Sequence, residues 1–555
     1  MKKLLLLTAI LFCTVPVAAQ EAELRDSLKE VLVTAVREKM RNTTQTGLMR
    51  FEGKQLRSGV AVFGTPDIIK KLQMLPGVAA GNELMSGLYV HGGDGTDNLF
   101  LLDGIPLYNI SHFGGLFSSF NTDIVDNLDF YKSGFPARYG GRLSSVVDVE
   151  TREGSFEKYH GSVSIGMIDG RLQFEGPIVK NKTSFNLALR RTWMDVVTLP
   201  AIAYANLKYG GDQVVGGGYA MWDANARLTH KFSEDNVLNA CFYMGQDNLH
   251  FSLKQKEDGV DGNSLKMGVK WGSLTASVSH NYKYSNKLRS RHVLYYSRSN
   301  SDTGYDFLLG TAGSDGSATS MTDSDVSGVQ ELGARSDWDW FPNSWNHVRY
   351  GLSLQYHWYD SGRKFLTTMV SGGEELSRSE GDESLGYRAF EPAIYIEDEI
   401  FIRHNLSANL GLRYALFQTG RKVWHSPEPR VALKWMPHPI VSAKVSYTRM
   451  SQFAHLVSAM YIDLPSNCWM PSTEEVRPMM SDQVAGGIYL TPYKDVKLNV
   501  EGWYKTMDYI LTYNGGNSFV PPITGWEKTF SEGRGRSWGM EVEATYDNGK
   551  LAFST

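Results

Sequence analysis

The segment that decides the fold is LSANLGLRY, Leu406–Tyr414, in which apolar and polar residues alternate without interruption. The apolar positions are Leu406, Ala408, Leu410, Leu412 and Tyr414, and the residues between them are Ser407, Asn409, Gly411 and Arg413. Because successive side chains of a β-strand point to opposite faces, this segment has one apolar face and one polar face. The alternation therefore predicts a strand that separates an apolar environment from a wet one.

The same alternation recurs along most of the chain after about Ser155, for example at Val348–Trp358, Val441–Thr448 and Trp538–Tyr546. A water-soluble β-sandwich also alternates. A membrane barrel is favoured because the segments are long, their polar faces carry many charges, and their apolar faces end in Tyr, Trp or Phe. The pattern predicts a membrane all-β fold, an antiparallel transmembrane β-barrel. A soluble secreted β-sandwich stays as the alternative.

The connections between these segments alternate between short and long. Short turns are predicted at Ile168–Arg171 and Pro437–Pro439, and long polar loops at Ser299–Asp325 and Tyr359–Gly386. Bacterial barrels have short periplasmic turns and longer outer loops.

The number of strands predicts an open barrel. About 16 strands can be counted, with a seventeenth beginning at Lys550, whereas a plugged transporter barrel has about 22. The chain stops at Thr555, in the middle of that strand. We therefore expect a barrel that is incomplete at its C-terminus, with its first strand near Gly161 and a free edge at each end of the sheet.

The N-terminus carries the features of a secretory signal peptide. Lys2 and Lys3 precede the apolar run Leu4–Val17, and Ala18 and Ala19 follow it. Residues 1–19 are therefore predicted to be a signal peptide. No later run is apolar and long enough for a transmembrane helix.

Composition and motifs give no case for catalysis. The formal net charge of −4 does not indicate a nucleic-acid partner. The 13 His are scattered, and the run Gly92–Gly95 lacks the spacing of a phosphate-binding loop. Beyond the signal peptide, Cys241 and Cys468 are too few for a disulfide framework or a zinc site, and a single bridge stays open. We therefore predict no enzyme activity, no cofactor and no metal.

Residues 21–154 read differently, as short strands, many glycines and one helix near Pro66–Met74. They contain LPGV at Leu75–Val78, GLYVHGGDGTDNLFLLDGIPLYN at Gly87–Asn109 and FPARYGGRLSSVVDVETREG at Phe135–Gly154. The later half contains WMPSTEEVRPMMSDQ at Trp469–Gln483 and GMEVEA at Gly539–Ala544. These motifs resemble the TonB-dependent receptors, particularly those of the Bacteroidetes type. In that family a small N-terminal plug domain sits inside an outer-membrane barrel.

The resemblance implies a domain organisation and a function. It implies a TonB box and linker at residues 20–44, a mixed α+β plug with a four-stranded sheet at residues 45–154, and the barrel at residues 155–555. It also implies active transport of a scarce, large nutrient: a siderophore, haem, cobalamin, or an oligosaccharide or peptide. The implied partners are TonB, outer-membrane lipid and an extracellular ligand, and a surface lipoprotein stays open as a further partner. A passive pore or adhesin barrel without energy coupling is the alternative function.

The segment KEVLVTA near the mature N-terminus is similar to the family's TonB box. The box residues would be Glu30, Val31, Leu32, Val33, Thr34 and Ala35. Such a box would bind TonB by strand addition, because an extended segment can form a row of backbone hydrogen bonds with its partner. An ordinary first strand of the plug is the alternative.

Charged residues of the plug and barrel are candidates for mutual contact. In the resemblance, Arg138 and Arg142 of the plug pair with Glu541 and Glu543 of a late strand, which suits charges inside a lumen because they need partners. The alternative is that all four are solvated. The family's usual Arg before the paired glycines is His91 here, so its contacts are expected to differ.

Ligand contacts of the family come from the plug apices and the outer loops. By position these would include Met85, Tyr108, His112 and Phe113. Aromatic and Met side chains suit an apolar or chelate-like ligand. The alternative is that Tyr108 and Phe113 only pack the plug.

Overall fold

The structure is a computed structural model, and the residues it describes fall into eleven segments. They are 43–58, 61–81, 87–209, 213–257, 260–310, 318–371, 374–458, 467–493, 495–515, 525–547 and 552–554. The predicted signal peptide at residues 1–19, the predicted TonB box from Glu30 to Ala35, and Met85 lie outside the described residues.

The described part of the plug, residues 43–154, is a mixed α+β unit. Its strands are β1 (Leu48–Glu52), β2 (Ala61–Val62), β3 (Thr65–Pro66), β4 (Val78–Ala79), β5 (Tyr89–Val90), β6 (Leu99–Leu102), β7 (Ile105–Pro106), β8 (Ser111–His112), β9 (Phe117–Ser118), β10 (Val125–Tyr131) and β11 (Val146–Thr151). Its helices are α1 (Gly53–Arg57) and α2 (Ile68–Gln73), and two 3₁₀ turns are η1 (Gly95–Asp97) and η2 (Phe113–Gly115).

The plug sheet has five strands among the described residues, in the order β1-β10-β11-β6-β7. The prediction of four strands is wrong because the two-residue strand β7 folds back onto β6. The predicted helix near Pro66 is confirmed as α2, which begins after Asp67, because that side chain accepts a hydrogen bond from the Lys70 backbone N–H at 3.0 Å. The sheet and α2 share one apolar core that includes Leu72, Leu128 and Val147.

The rest of the chain is dominated by one antiparallel sheet of 17 strands in the described residues. Its first eight strands are β12 (His160–Ile165), β13 (Asp169–Val179), β14 (Thr183–Thr192), β15 (Gln213–Ser233), β16 (Asn236–Glu257), β17 (Val260–Ser285), β18 (Leu288–Gly310) and β19 (Ala318–Trp340). The next five are β20 (Asn346–Ser371), β21 (Glu374–Arg403), β22 (Leu406–Thr419), β23 (Lys422–His438) and β24 (Val441–Gln452). A separate hairpin of β25 (Ala454–Val457) and β26 (Cys468–Pro471) follows, and then β27 (Met479–Tyr493), β28 (Val496–Tyr513), β29 (Phe530–Asp547) and β30 (Ala552–Ser554) complete the sheet.

One helix and one 3₁₀ turn lie between these strands. Helix α3 (Met194–Tyr209) connects β14 to β15, and η3 (Trp526–Thr529) precedes β29. No helix in the described segments has the length and apolarity that a bilayer span requires. Cys241 and Cys468 are both free thiols, so they do not bridge each other.

The two faces of the sheet have the predicted polarity. On β22, Leu410 and Leu412 are each 48% exposed on the outer face, whereas Ser407 and Asn409 are buried on the inner face. On β29, Met540 is exposed and Glu541 is buried. The alternation seen in the sequence therefore divides a lipid-facing surface from a polar interior.

The two predicted long loops are wrong. Residues 299–325 and 359–386 belong mainly to paired strands, since β18 pairs with β19 up to Gly310 and Ala318, and β20 pairs with β21 up to Ser371 and Glu374. Their sequences are rich in polar residues and lack the strict alternation by which the other strands were predicted. Their backbone groups still need hydrogen-bond partners, and the neighbouring strand supplies them.

The two ends of the sheet remain apart. Strand β12 pairs only with β13, and β30 only with β29, among the described residues. The expected open sheet is confirmed for this part of the chain, and its first strand contains Gly161 as predicted.

Candidate functional site between the plug and the barrel wall

The plug contacts the inner face of the sheet along most of its width. The contacts include Thr65 with Asp169 on β13, Ser118 with Arg190 on β14, Pro106 with Ser297 on β18, Ala137 with Glu397 on β21, Thr46 with Ser446 on β24, Leu143 with Ser481 on β27, and Lys132 with Glu541 on β29. Strands so far apart in the sheet can all touch one small domain only if the sheet curves around it. The plug therefore lies inside the curved sheet, and the interface between them is the candidate functional site.

The first buried ionic cluster of this interface lies at Lys132, directly after β10. Its ammonium group bonds Glu541 on β29, lies 3.6 Å from Glu501 on β28, and donates to the Pro76 carbonyl at 3.1 Å. Burial opposes the positive charge, but the two glutamates outweigh it and raise the pKa of Lys132. Lys132 is therefore a permanent cation that joins the plug to two neighbouring wall strands.

His91 lies beside this cluster and is held in a different way. Its Nδ1 pairs with the side-chain nitrogen of Gln483 at 2.9 Å, and its ring stacks on Trp503 with centroids 4.0 Å apart. Burial first, and then the charges of Lys132 and Lys505, lower the pKa of His91 well below its ordinary value. The residue that replaces the family's usual Arg is thus a neutral ring packed against the wall.

The glycine after His91 allows this close approach. Gly92 has a φ of +72°, and a Cβ there would collide with the side chain of Ser537 on β29. Only glycine combines the left-handed backbone with the missing side chain at no cost.

The predicted pairing of Arg138 and Arg142 with Glu541 and Glu543 is wrong. The Arg138 guanidinium bonds the Tyr139 hydroxyl and lies 4.0 Å from Asp148, and both partners are in the plug. The Arg142 guanidinium lies 5.5 Å from the Tyr108 ring centroid and 4.8 Å from that of Trp469. The carboxylate of Glu543 accepts from Asn499 on the neighbouring strand at 2.9 Å.

The pairing was predicted wrongly because the sequence does not reveal how the end of β10 is aligned with the wall strands β28 and β29. Strand β10 ends at Tyr131, so the next residue, Lys132, leaves the plug sheet at the level of β28 and β29. The basic partner of Glu541 is therefore Lys132, which lies outside the motifs that drew attention to the two arginines.

The second buried cluster surrounds His112 in the plug apex, by which we mean residues 108–117. The imidazole Nδ1 lies 2.6 Å from Asp247 on β16, and Nε2 lies 3.6 Å from Asp223 on β15. Asp223 also accepts from Arg190 at 2.6 Å, and Asp247 accepts from the Phe113 backbone N–H at 3.0 Å. All four charged or chargeable side chains are almost fully buried.

The third cluster holds Tyr108. The phenol donates to Glu331 on β19 at 2.6 Å, and burial together with that carboxylate raises the pKa of Tyr108 well above its ordinary value. The His357 imidazole lies 3.6 Å from Glu331 and 3.4 Å from Glu391. Trp469, on the β25–β26 hairpin, packs edge-on against the Tyr108 ring.

The predicted ligand-facing residues are therefore packed against the wall. Tyr108 and His112 bond wall carboxylates, and the Phe113 ring packs on Tyr219 at 4.2 Å. These contacts match the packing alternative, and a ligand role for the three stays a prediction.

Sequence reasoning missed the wall partners Arg190, Asp223, Asp247 and Glu331. A signal existed: each is a charge on the polar face of a strand, and a charge that leaves water needs a partner. Among the described residues, no group of three or more His, Cys, Asp or Glu could hold a metal ion.

Comparisons with known proteins identify relatives of both parts. A family model described as "TonB dependent receptor-like, beta-barrel" matches residues 203–555, and one described as "TonB-dependent Receptor Plug Domain" matches residues 60–147. No match was found among curated protein sequences.

Solved structures share the fold at low sequence identity. The siderophore receptor PirA from Acinetobacter baumannii is 14% identical, with 92% of this chain and 79% of that chain covered and a TM-score of 0.57. The RagAB peptide importer is 10% identical, with 92% and 72% covered and a TM-score of 0.60. The ferric citrate transporter FecA in its unliganded form is 12% identical, with 93% and 76% covered and a TM-score of 0.58.

Proposed function

The chain belongs to the TonB-dependent receptor family, and from that premise we propose that it imports a scarce, large nutrient across the outer membrane with energy supplied through TonB. It is a β-barrel protein of the outer membrane, and its family is one of transporters and receptors. The proposed division of the chain is a signal peptide at 1–19, a TonB box and linker at 20–44, a plug at 45–154 and a barrel at 155–555.

The observation that carries the proposal is the buried ionic interface between plug and wall. Lys132 joins Glu541 and Glu501, and His112 faces Asp223 and Asp247, all away from water. A buried charge that loses its partner costs about 3–5 kcal/mol. TonB draws on the inner-membrane potential, which supplies about 2.3 kcal/mol per charge per 100 mV, whereas a passive pore would have to move the plug by thermal fluctuation.

The start of the described chain supports the proposed position of the TonB box. The Thr44 hydroxyl bonds Glu399 near the end of β21 and Ser407 near the start of β22. These residues flank the short turn after Arg403, and short turns mark the periplasmic end of a bacterial barrel. The proposed box, Glu30–Ala35, precedes Thr44 closely, so the periplasm is within its reach.

The names of the structural neighbours support a proposal for the class of cargo. The solved structures with this fold include siderophore receptors, a ferric citrate transporter and a peptide importer. We propose a cargo of that kind, too large for a porin: a siderophore, haem, cobalamin, or an oligosaccharide or peptide.

A growth screen tests the proposal. A deletion strain is grown on limiting iron, haem, cobalamin, glycans or peptides, with the full chain or the chain lacking Glu30–Ala35 supplied in trans. We expect one nutrient to become limiting, and only the full chain to restore growth. Restoration by both chains would instead favour the passive pore, and single-channel conductance would then show an open channel.

A further inference from the structure

We propose that His112 is a positioning residue that acts as a charged imidazolium between Asp223 and Asp247. In that state it holds the plug apex, residues 108–117, against the barrel wall, and loss of its proton releases the apex. This role of His112 does not depend on the proposed transport function. Only an effect of the released apex on uptake would rest on that function.

Each ring nitrogen of His112 lies near a different carboxylate. Nδ1 lies 2.6 Å from Asp247, and Nε2 lies 3.6 Å from Asp223. Neutral imidazole has one N–H, so one of the two carboxylates would then face a ring lone pair without water between them. Nε2 has no hydrogen-bond partner in the described part of the chain, and the carboxylate near it is that of Asp223. The protonated ring satisfies both carboxylates.

The surrounding charges point the same way. Around His112 the wall supplies the carboxylates of Asp223 and Asp247 and the guanidinium of Arg190, with the phenols of Tyr219 and Tyr243 nearby. From the plug side, the carboxylate of Asp67 interacts with Arg190 and already accepts from the backbone N–H groups of Lys70 and Ser118. Two buried wall carboxylates thus face one guanidinium. A positive His112 supplies the second cation, and buried charges that lack a partner are strongly disfavoured.

A glycine on the wall lies beside the His112 ring. It is Gly245 on β16, and a Cβ at that position would stand 3.1 Å from His112 Cε1. That distance is tighter than an ordinary contact, and the same Cβ would collide with the Tyr243 hydroxyl, so a side chain at Gly245 would crowd both rings.

Asp247 links the ring to the backbone of the apex. One oxygen faces His112, and the other accepts the Phe113 N–H at 3.0 Å. Phe113 has a φ of +50°, a left-handed conformation that is uncommon for a residue with a side chain and needs support from its surroundings. When His112 loses its charge, Asp247 loses its cation and the apex loses the anchor that maintains this turn.

Amide hydrogen exchange of the full chain in isolated outer membranes tests the proposal. The readout is the peptide that covers residues 108–119, measured at about pH 6 and about pH 8.5, on either side of the ordinary histidine titration, after correction for intrinsic exchange. We expect protection to fall at least about tenfold at the higher pH. His112→Gln should exchange fast at both pH values, and His112→Lys, which keeps a charge, should stay protected at both.

The control is the peptide that contains Leu99–Leu102, the central plug strand β6, which should keep its protection in every variant if the plug is folded. Equal protection of the wild-type apex at both pH values overturns the proposal, and so does a pH step that persists in His112→Gln or equal exchange in the Lys and Gln variants. If exchange follows expectation while the chain lacking Glu30–Ala35 still restores growth, the transport proposal fails and the role of His112 stands.

Discussion

His91 and His112 are two buried histidines of the same plug, and the charged groups around them differ. His91 lies beside the cations Lys132 and Lys505, so its pKa falls and it stays a neutral ring on Trp503. His112 faces two carboxylates, at 2.6 Å and 3.6 Å. At the first site the plug is held by Lys132, and His91, whose Nε2 lies 3.8 Å from Glu541, stays neutral beside that cation. At the second site the histidine itself faces the wall carboxylates. The charges that plug and wall together place around each ring distinguish the two histidines.

The largest expected effect comes from removing the permanent cation. Lys132→Met leaves Glu541 and Glu501 buried without their partner, and we expect a loss of about 3–5 kcal/mol in the free energy of unfolding. Urea titration in micelles, followed by tryptophan fluorescence, measures it. The control is Lys283→Met, which breaks a pair with Asp235 on the periplasmic turn side where both side chains are over a third exposed, and should cost at most about 1 kcal/mol. Equal losses would mean that Lys132 is solvated in the lumen.

A smaller effect is expected at the titratable contact. Asp247→Asn removes the charged acceptor of His112 and weakens the acceptor of the Phe113 amide, so we expect a loss of about 1.5–3 kcal/mol near pH 6. The loss should be smaller at about pH 8.5, where the proposal has the apex already released from Asp247. Asp235→Asn, at a surface pair, serves as the control and should change stability little at either pH. A loss that is the same at both pH values would contradict a charged His112.

The smallest effect concerns the pH dependence of His91. The unfolded chain takes up a proton on this residue near pH 6.5, whereas the lowered pKa keeps the folded residue neutral to a much lower pH. Acidification below about pH 6.5 therefore favours unfolding, by up to about 1.4 kcal/mol per pH unit. His91→Gln keeps an amide that can pair with Gln483 and removes the titration. We expect it to lose about 1 kcal/mol less stability than wild type between about pH 7 and pH 5.5. An unchanged pH dependence would show that the His91 pKa is the same in the folded and unfolded chain, which would contradict the lowered pKa.

The faces of many wall strands could be predicted from sequence because the hydrophobic effect alone decides which side chains face lipid. Leu410 and Ser407 were placed on opposite faces correctly because lipid on one side and water on the other impose a period of two. The segments 299–325 and 359–386 were predicted as loops because their polar sequences lack the strict alternation, and the pairing of neighbouring backbones makes them strands.

The interface could not be predicted to the same extent. Arg138 and Arg142 were paired with Glu541 and Glu543 because the signs of the charges match, yet the choice of Lys132 depends on where β10 ends relative to β29. The position of His112 in the sequence was enough to place it at a plug apex, but the direction of its side chain could not be predicted. The ring points into the wall because Gly245 leaves room there and Asp247 lies behind it.

The central claim is that the plug is fastened inside the wall by buried contacts and released by a pull on Glu30–Ala35. The most direct measurement compares uptake with surface binding of the nutrient identified by the growth screen, in cells that carry the full chain or the chain without those residues. We expect uptake to be abolished and surface binding to keep its affinity, because the proposed TonB contact and the proposed binding surface are expected at opposite ends of the barrel. Uptake that continues without Glu30–Ala35 would contradict it, and loss of both activities would assign the segment a role in folding.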